Sequence, residues 1–332
     1  MKNKINIFLF FLLGLSVFTS CEPEDRPAEQ VPEKAPVADI VLPPYNADSA
    51  YKFIYNQVAF GPRVPNTAAH RKCGDYLIKT LKRLDCEVTV QEFEAEAFDG
   101  TKLQLRNIIG SINPDAQKRI ILAAHWDTRP FADQDSENPD KPIDGANDGA
   151  SGVGVLLEIA RAIQEFGQNP GVGIDFILFD GEDYGQPDNG RAYKPDTWCL
   201  GSQYWSKNKH KEGYTAYYGI LLDMVGAADA KFAMEGTSMQ YAPSVMKKVW
   251  DTGNRLGYSN HFIYKKVSPI IDDHHYVNTI ARIPMIDIIE YNPQGDHYFG
   301  DYWHTHDDNM DIIDTATLKV VGHTVLDVIY RE

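Results

Sequence analysis

The chain is predicted to fold as an α/β protein, with a central, mostly parallel twisted sheet and helices on both faces. Three observations carry this. Apolar runs of strand length recur, as in Ile120–Ala124, Ile174–Phe179 and Tyr218–Leu222. Segments with apolar residues at helical spacing lie between such runs, the pattern of a parallel sheet covered on both sides. Several strands also end in an acid or a histidine, and ligands of open α/β sheets bind at the carboxyl ends of strands.

The elements follow in order. Met1-Lys-Asn-Lys4 is a basic leader and Ile5–Phe18 an apolar stretch of signal-peptide length, too short for a comfortable membrane span. Thr19-Ser20-Cys21 then places small residues before a cysteine. Residues 1–20 therefore read as a lipoprotein signal peptide, with Cys21 as the lipidated terminus in the bacterial envelope, facing the periplasm. Residues 21–45 are rich in proline and acid and read as an extended tether. Residues 46–332 are expected to form a single domain, for which the length and a composition of 43% hydrophobic residues are sufficient.

Within that domain, Cys73, Tyr76, Leu77, Thr80, Leu81 and Leu84 recur at helical spacing. Glu87–Phe93 reads as a strand with Val88 and Val90 on one face. Strands follow over about 103–111 and 119–125, then a helix over Ser151–Phe166. Strands over about 173–180, 217–223 and 283–289 come next, and a helix over about 315–330 closes the chain. Of Cys73, Cys86 and Cys199, the first two flank a helix, and either a disulfide or two buried thiols fits them.

The charge balance, 32 Lys+Arg against 47 Asp+Glu, argues against nucleic acid as a partner, because phosphate binding needs a basic surface. It favours amine-bearing substrates only weakly, since acidity also serves solubility.

The chemistry lies at the strand ends. Phe179-Asp-Gly-Glu-Asp183 closes one apolar strand with three acids, which are costly to desolvate without a positive partner. His125-Trp-Asp127 ends another, and Asp223 ends Ile220-Leu-Leu-Asp. Asp148 precedes a helix among Gly145, Gly149 and Gly152, and His304 lies in Trp303-His-Thr-His306. Such oxygen and imidazole donors suit zinc. Each has a bland alternative: an N-cap for Asp148, a solvated turn for Glu182 and Asp183, a hydrogen-bonded strand end for His125 and Asp127. His306 competes with His304. Glu182 and Asp183 are neighbours and point apart on extended backbone, so one can face a metal and the other a substrate.

Over residues 48–330 these motifs resemble the zinc aminopeptidase-like α/β hydrolases, and within them the animal-type glutaminyl cyclases that some bacteria also carry. The likeness rests on Phe60-Gly-Pro-Arg63, His125-Trp-Asp127, Gly145-Ala-Asn-Asp148, Asp180-Gly-Glu-Asp183, Leu222-Asp-Met-Val-Gly226, Asp272-Asp-His274 and Trp303-His-Thr305. Trp198-Cys-Leu-Gly-Ser-Gln-Tyr-Trp205 and the loop Tyr184–Thr197 resemble the bacterial members in particular. The resemblance implies one Zn²⁺ on Asp148, Asp183 and His304, with Glu182 as general acid/base. It also implies a hydrogen-bond network through Asp223 and Asp272 and a pocket wall at Trp303; read from the residues alone, His125 and Asp127 fit second-metal ligands or supports.

The reaction so implied is ring closure of an N-terminal glutamine of peptides or proteins to pyroglutamate with loss of ammonia; glutamate is a further candidate substrate, and a monomer is expected. Two departures from the animal pattern stand out: Asp183 replaces a glutamate ligand, and Asp287 replaces a histidine near the site. Two rivals remain. A di-zinc aminopeptidase would use His125, Asp148, Asp183, Asp223 and His304 with Asp148 bridging. A silent peptide-binding lipoprotein would have no use for Glu182.

Overall fold

The computed structural model describes residues 40–187, 192, 194–292, 294 and 298–332. The leader, Cys21 and the tether up to residue 39 lie outside the described residues, as does part of the 184–197 loop. Ile40–Glu332 forms one compact unit.

The chain opens with α1 (Ala47–Val58) and α2 (Ala68–Arg83), then the hairpin β1 (Glu87–Glu96) and β2 (Lys102–Ile112). Next come β3 (Arg119–His125), α3 (Ala150–Phe166), β4 (Gly173–Phe179), α4 (Leu200–Lys207) and β5 (Tyr218–Asp223). Then follow β6 (Phe232–Met234), α5 (Gly236–Tyr241), α6 (Pro243–Arg255), β7 (Phe262–Lys266), α7 (Asp273–Tyr276), β8 (Met285–Ile289) and α8 (Thr315–Tyr330). Local chemistry sets several boundaries. Asn46, Thr67 and Asp314 cap α1, α2 and α8 by accepting the backbone N–H of Ser49, His70 and Thr317. Gly167, in the left-handed region at φ 67°, ends α3.

The main sheet runs in the order β1-β2-β4-β3-β5-β8, and β6 and β7 make a separate parallel pair. The pairings β4–β3, β3–β5 and β5–β8 are parallel; β1–β2 and β2–β4 are antiparallel. The parallel centre is therefore as the apolar runs predict, while the edge is an antiparallel hairpin. Every residue of β3, β4, β5 and β8 is buried. Alternation along these strands sends Ile120, Leu122, Ala124, Ile174, Phe176 and Leu178 into one core with α1, α3, α6 and α8. Ile121, Ala123, Ile177 and Phe179 enter a second core with Trp205 and Val277.

Val88 packs against the larger core, but Val90 on the edge strand is exposed. Cys73 and Cys86 are free buried thiols, not a disulfide; burial pushes each up to about 12. No helix among the described residues is long and apolar enough to cross a membrane.

Candidate active site

Register brings the strand-end residues level. His125 pairs with Phe179 across β3–β4, so Asp180–Asp183 emerge beside it. Ala123 pairs with Leu221 across β3–β5, which puts Asp223 level with His125 two residues on. His125 Nε2 lies 3.0 Å from Asp148 Oδ1 and 3.1 Å from Asp223 Oδ1.

Asp148 reaches this point on a tightly built loop. The N-cap of α3 is Gly149, not Asp148, and has no side-chain capping bond. Gly149 has φ +95°, and a Cβ there would lie 2.6 Å from the Asp127 carbonyl oxygen. Asp308 clamps the loop by accepting the backbone N–H of Asn147 at 2.6 Å and of Asp148 at 3.0 Å. Asp148 is thus freed from the capping role that its sequence context allowed.

Asp127 makes a similar clamp, accepting the N–H of Glu182 at 3.0 Å and of Asp183 at 3.2 Å. Its carboxylate is a support for the turn that presents those two acids. Asp183 and Glu182 then diverge. Asp183 meets His304, whose Nε2 is 3.3 Å from Asp183 Oδ1 and 3.7 Å from Asp148 Oδ2. Ligand atoms of Asp148, Asp183 and His304 all lie within 4.8 Å of one another. Glu182 instead lies with Cys199 and Asp272 within the same span, and the Cys199 thiol donates to Glu182 Oε1 at 3.2 Å.

His306 is drawn off to Asp135, 2.9 Å away, so His304 alone of that pair faces the acids. Its other nitrogen, Nδ1, is 3.1 Å from Asp133 Oδ1, and Arg129 in turn donates to that oxygen at 2.5 Å. An imidazole with one carboxylate beside Nδ1 and two more facing Nε2 has the arrangement of a metal ligand. Both oxygens of buried Asp183 lack a hydrogen bond of good geometry. Two orphan acceptors beside a second carboxylate and an open imidazole fit a zinc ion. His125, Asp148 and Asp223 form a second such trio.

The pocket over these groups is walled by Trp198, Phe299, Trp303, Ile270, Ile271 and Tyr276, with Glu182, Asp223 and Asp272 on its floor. Trp303 stacks on His304 at 3.7 Å between ring centroids and touches Phe299 at 5.1 Å. Apart from Asn and Asp, the non-glycine residues with positive φ are Cys199, Met224, Arg282 and His304 among the described residues. Three of these four are at or against the pocket, where strained backbone is held in place by its surroundings.

The charges are unusual for a folded interior. Burial, opposed by His125, pushes Glu182 well above the usual carboxylate range, and Asp272 adds to the push. Burial raises Asp183 to about 6 and Asp223 to about 7. Burial also opposes ionisation of Asp148, but its bond to His125 wins and holds it below its ordinary value.

Sequence reasoning missed Asp133, Arg129, Asp308 and Cys199. Arg129 and Asp133 lie in an irregular loop where no period marks them, and Asp308 and Cys199 contact the site only through the fold.

The profile of peptidase family M28 matches residues 107–329. A glutaminyl cyclase of Tannerella forsythia is 54% identical, covering 87% of this chain and all of its own, with a TM-score of 0.85. The chain belongs to peptidase family M28, in its glutaminyl cyclase branch. A Zn-dependent exopeptidase of Parabacteroides distasonis is 53% identical over 88% of this chain and all of its own, with a TM-score of 0.86. The glutaminyl-peptide cyclotransferase of Drosophila melanogaster is 26% identical over 276 residues, 77% of this chain and 73% of its own.

Proposed function

We propose that the protein is a glutaminyl-peptide cyclotransferase that closes N-terminal glutamine to pyroglutamate. The observation that carries this is the pairing of Glu182 with Asp272 at the floor of an aromatic pocket, beside a metal-type trio. Asp148, Asp183 and His304 would hold one zinc, which when bound polarises the γ-carbonyl oxygen of the substrate.

The remaining chemistry belongs to the chain. Trp303, Phe299 and Trp198 enclose a narrow space that favours the folded-back rotamer in which the α-amine meets its own side-chain carbonyl carbon. Because the attack is intramolecular, selecting that rotamer supplies much of the rate. An α-amine ordinarily titrates near about 7.7–8.0, and burial moves Glu182 upward from the usual carboxylate range toward it. Glu182 takes the amine proton as the C–N bond forms and returns it to the departing nitrogen, which leaves as ammonia. Asp272, with a carboxylate oxygen within 4.8 Å of that base, orients it.

The trio His125, Asp148 and Asp223 would serve a two-metal aminopeptidase of the same superfamily. Product mass separates the two. A Gln-initiated peptide incubated with the protein loses one ammonia if it is cyclised; loss of a whole residue would establish the peptidase. We also propose anchoring to the cell envelope through Cys21, on the leader and cysteine context alone. Cys21→Ala should move the protein from membrane to soluble fractions, and continued membrane association would refute the anchor.

A further inference from the structure

Behind the pocket floor lies a second set of acids that the reaction does not use directly. Ligand atoms of Asp272, His274 and Asp287 lie within 4.8 Å of one another. Asp287 sits in β8 between Ile286 and Ile288, which enter the larger core, so its side chain emerges on the opposite face. Its side chain has no measurable exposure, and neither oxygen has a hydrogen-bond partner in the described structure. Asp272 Oδ2 is likewise orphaned, while its Oδ1 accepts the backbone N–H of Asp273.

The surrounding elements offer little positive charge. α7 contributes Asp273 and His274, β5 contributes Asp223, and the N-cap of α5 contributes Glu235; the Tyr298 hydroxyl also faces the group. His274 Nε2 lies 3.1 Å from Glu235 Oε1, while its Nδ1, buried and without a hydrogen-bond partner, is 3.8 Å from Asp287 Oδ2, beyond a hydrogen bond. No Lys or Arg among the described residues pairs with Asp272 or Asp287. Asp287 therefore presents two unpartnered oxygens within reach of the free oxygen of Asp272, with no cation beside them.

We infer that Asp287 is a neutral carboxylic acid that donates its O–H to the free oxygen of Asp272. One proton then satisfies two orphaned groups at once. The bond fixes the Asp272 carboxylate against Glu182, which makes Asp287 a positioning residue acting through Asp272. Burial, then the charges of Asp272, Asp223 and Glu235, push Asp287 well above the ordinary carboxylate range, in keeping with the geometry.

The kinetic part of this inference rests on the cyclase reading; the protonation state does not. The zinc-loaded protein is compared with Asp287→Asn, which keeps a donor of the same shape, and Asp287→Ala, which removes it. Asp287→Asn should keep kcat within about threefold, whereas Asp287→Ala should lower it about tenfold or more with KM little changed. Zinc content should be unchanged in both. The infrared spectrum of the substrate-free protein should lose a protonated-carboxyl carbonyl band in Asp287→Asn. If that variant loses an ionised-carboxylate band instead, the inference is wrong whatever the enzyme's activity. It is equally overturned if Asp287→Asn is as damaged as Asp287→Ala, or if it releases a bound cation. Absence of cyclase activity in the wild type would remove the proposed function and leave the infrared result to decide the proton.

Discussion

The two ends of the same parallel strands hold buried acids in opposite states. At the amino end, Asp175 of β4 accepts two bonds from the Arg119 guanidinium at 2.7 Å each, one from Ser111 at 2.5 Å and one from Tyr214 at 2.7 Å. Burial opposes its charge, but these partners hold its carboxyl below the ordinary value. At the carboxyl end, Asp183 has two orphaned oxygens, and Glu182, Asp183 and Asp223 are all pushed upward by burial. A buried acid with a full set of partners is part of the scaffold. One left open is waiting for a proton, a metal or a substrate.

The largest expected effect breaks the carboxyl end. Glu182→Gln should keep zinc and lose about 10²–10⁴-fold in kcat, the usual scale of a general base. Retention of more than about a tenth of the activity would place the base elsewhere. The matching change at the amino end should act on stability alone. Asp175→Ala strands the Arg119 guanidinium and should cost about 3–5 kcal/mol in denaturant unfolding, with the specific activity of folded protein unchanged.

The two ends should also answer pH in opposite directions. Asp175 is depressed in the fold, so its contribution is present above the unfolded value of about 3.9 and is lost as pH falls through the folded value. Asp183 and Asp223 are raised to about 6 and about 7, so the metal-free fold keeps protons that the unfolded chain has released. Their contribution therefore declines as pH rises between about 4 and 7. His125, raised despite the burial that opposes its charge, adds a loss of the same sign as pH rises. Thermal melts of chelated protein should show Tm falling across that window, and added zinc should remove the slope because metal binding needs the deprotonated groups.

Much of this contrast is legible along the chain, because apolar strands that end in His125 and Asp223, or run on into Asp183, have no structural need for those groups. The choice between His304 and His306 is not legible: they lie two residues apart in a loop with no period, and only Asp135, from another loop, separates their roles. The clamps made by Asp127 and Asp308 are hidden for the same reason, since each acts on backbone N–H groups far away in sequence. Helices α1 and α6 escaped notice despite their amphipathic residues, Ala50, Phe53 and Ile54 in one and Val245, Met246 and Val249 in the other. The antiparallel edge could not be told from a parallel one, because an edge strand exposes residues such as Val90 in either case.

The smallest expected effect concerns the pocket wall. Trp303→Leu should reduce kcat/KM about tenfold and alike for peptides with different second residues, a loss of about 1.4 kcal/mol. A variant that melts early but keeps full specific activity at low temperature would make Trp303 a packing residue only.

The metal count tests the central claim most directly. Elemental analysis should find one zinc per wild-type chain, none in Asp148→Ala or His304→Ala, and one still in His125→Ala and Asp175→Ala. Two zincs in the wild type, with one lost in His125→Ala, would contradict the cyclase account and make this an aminopeptidase site.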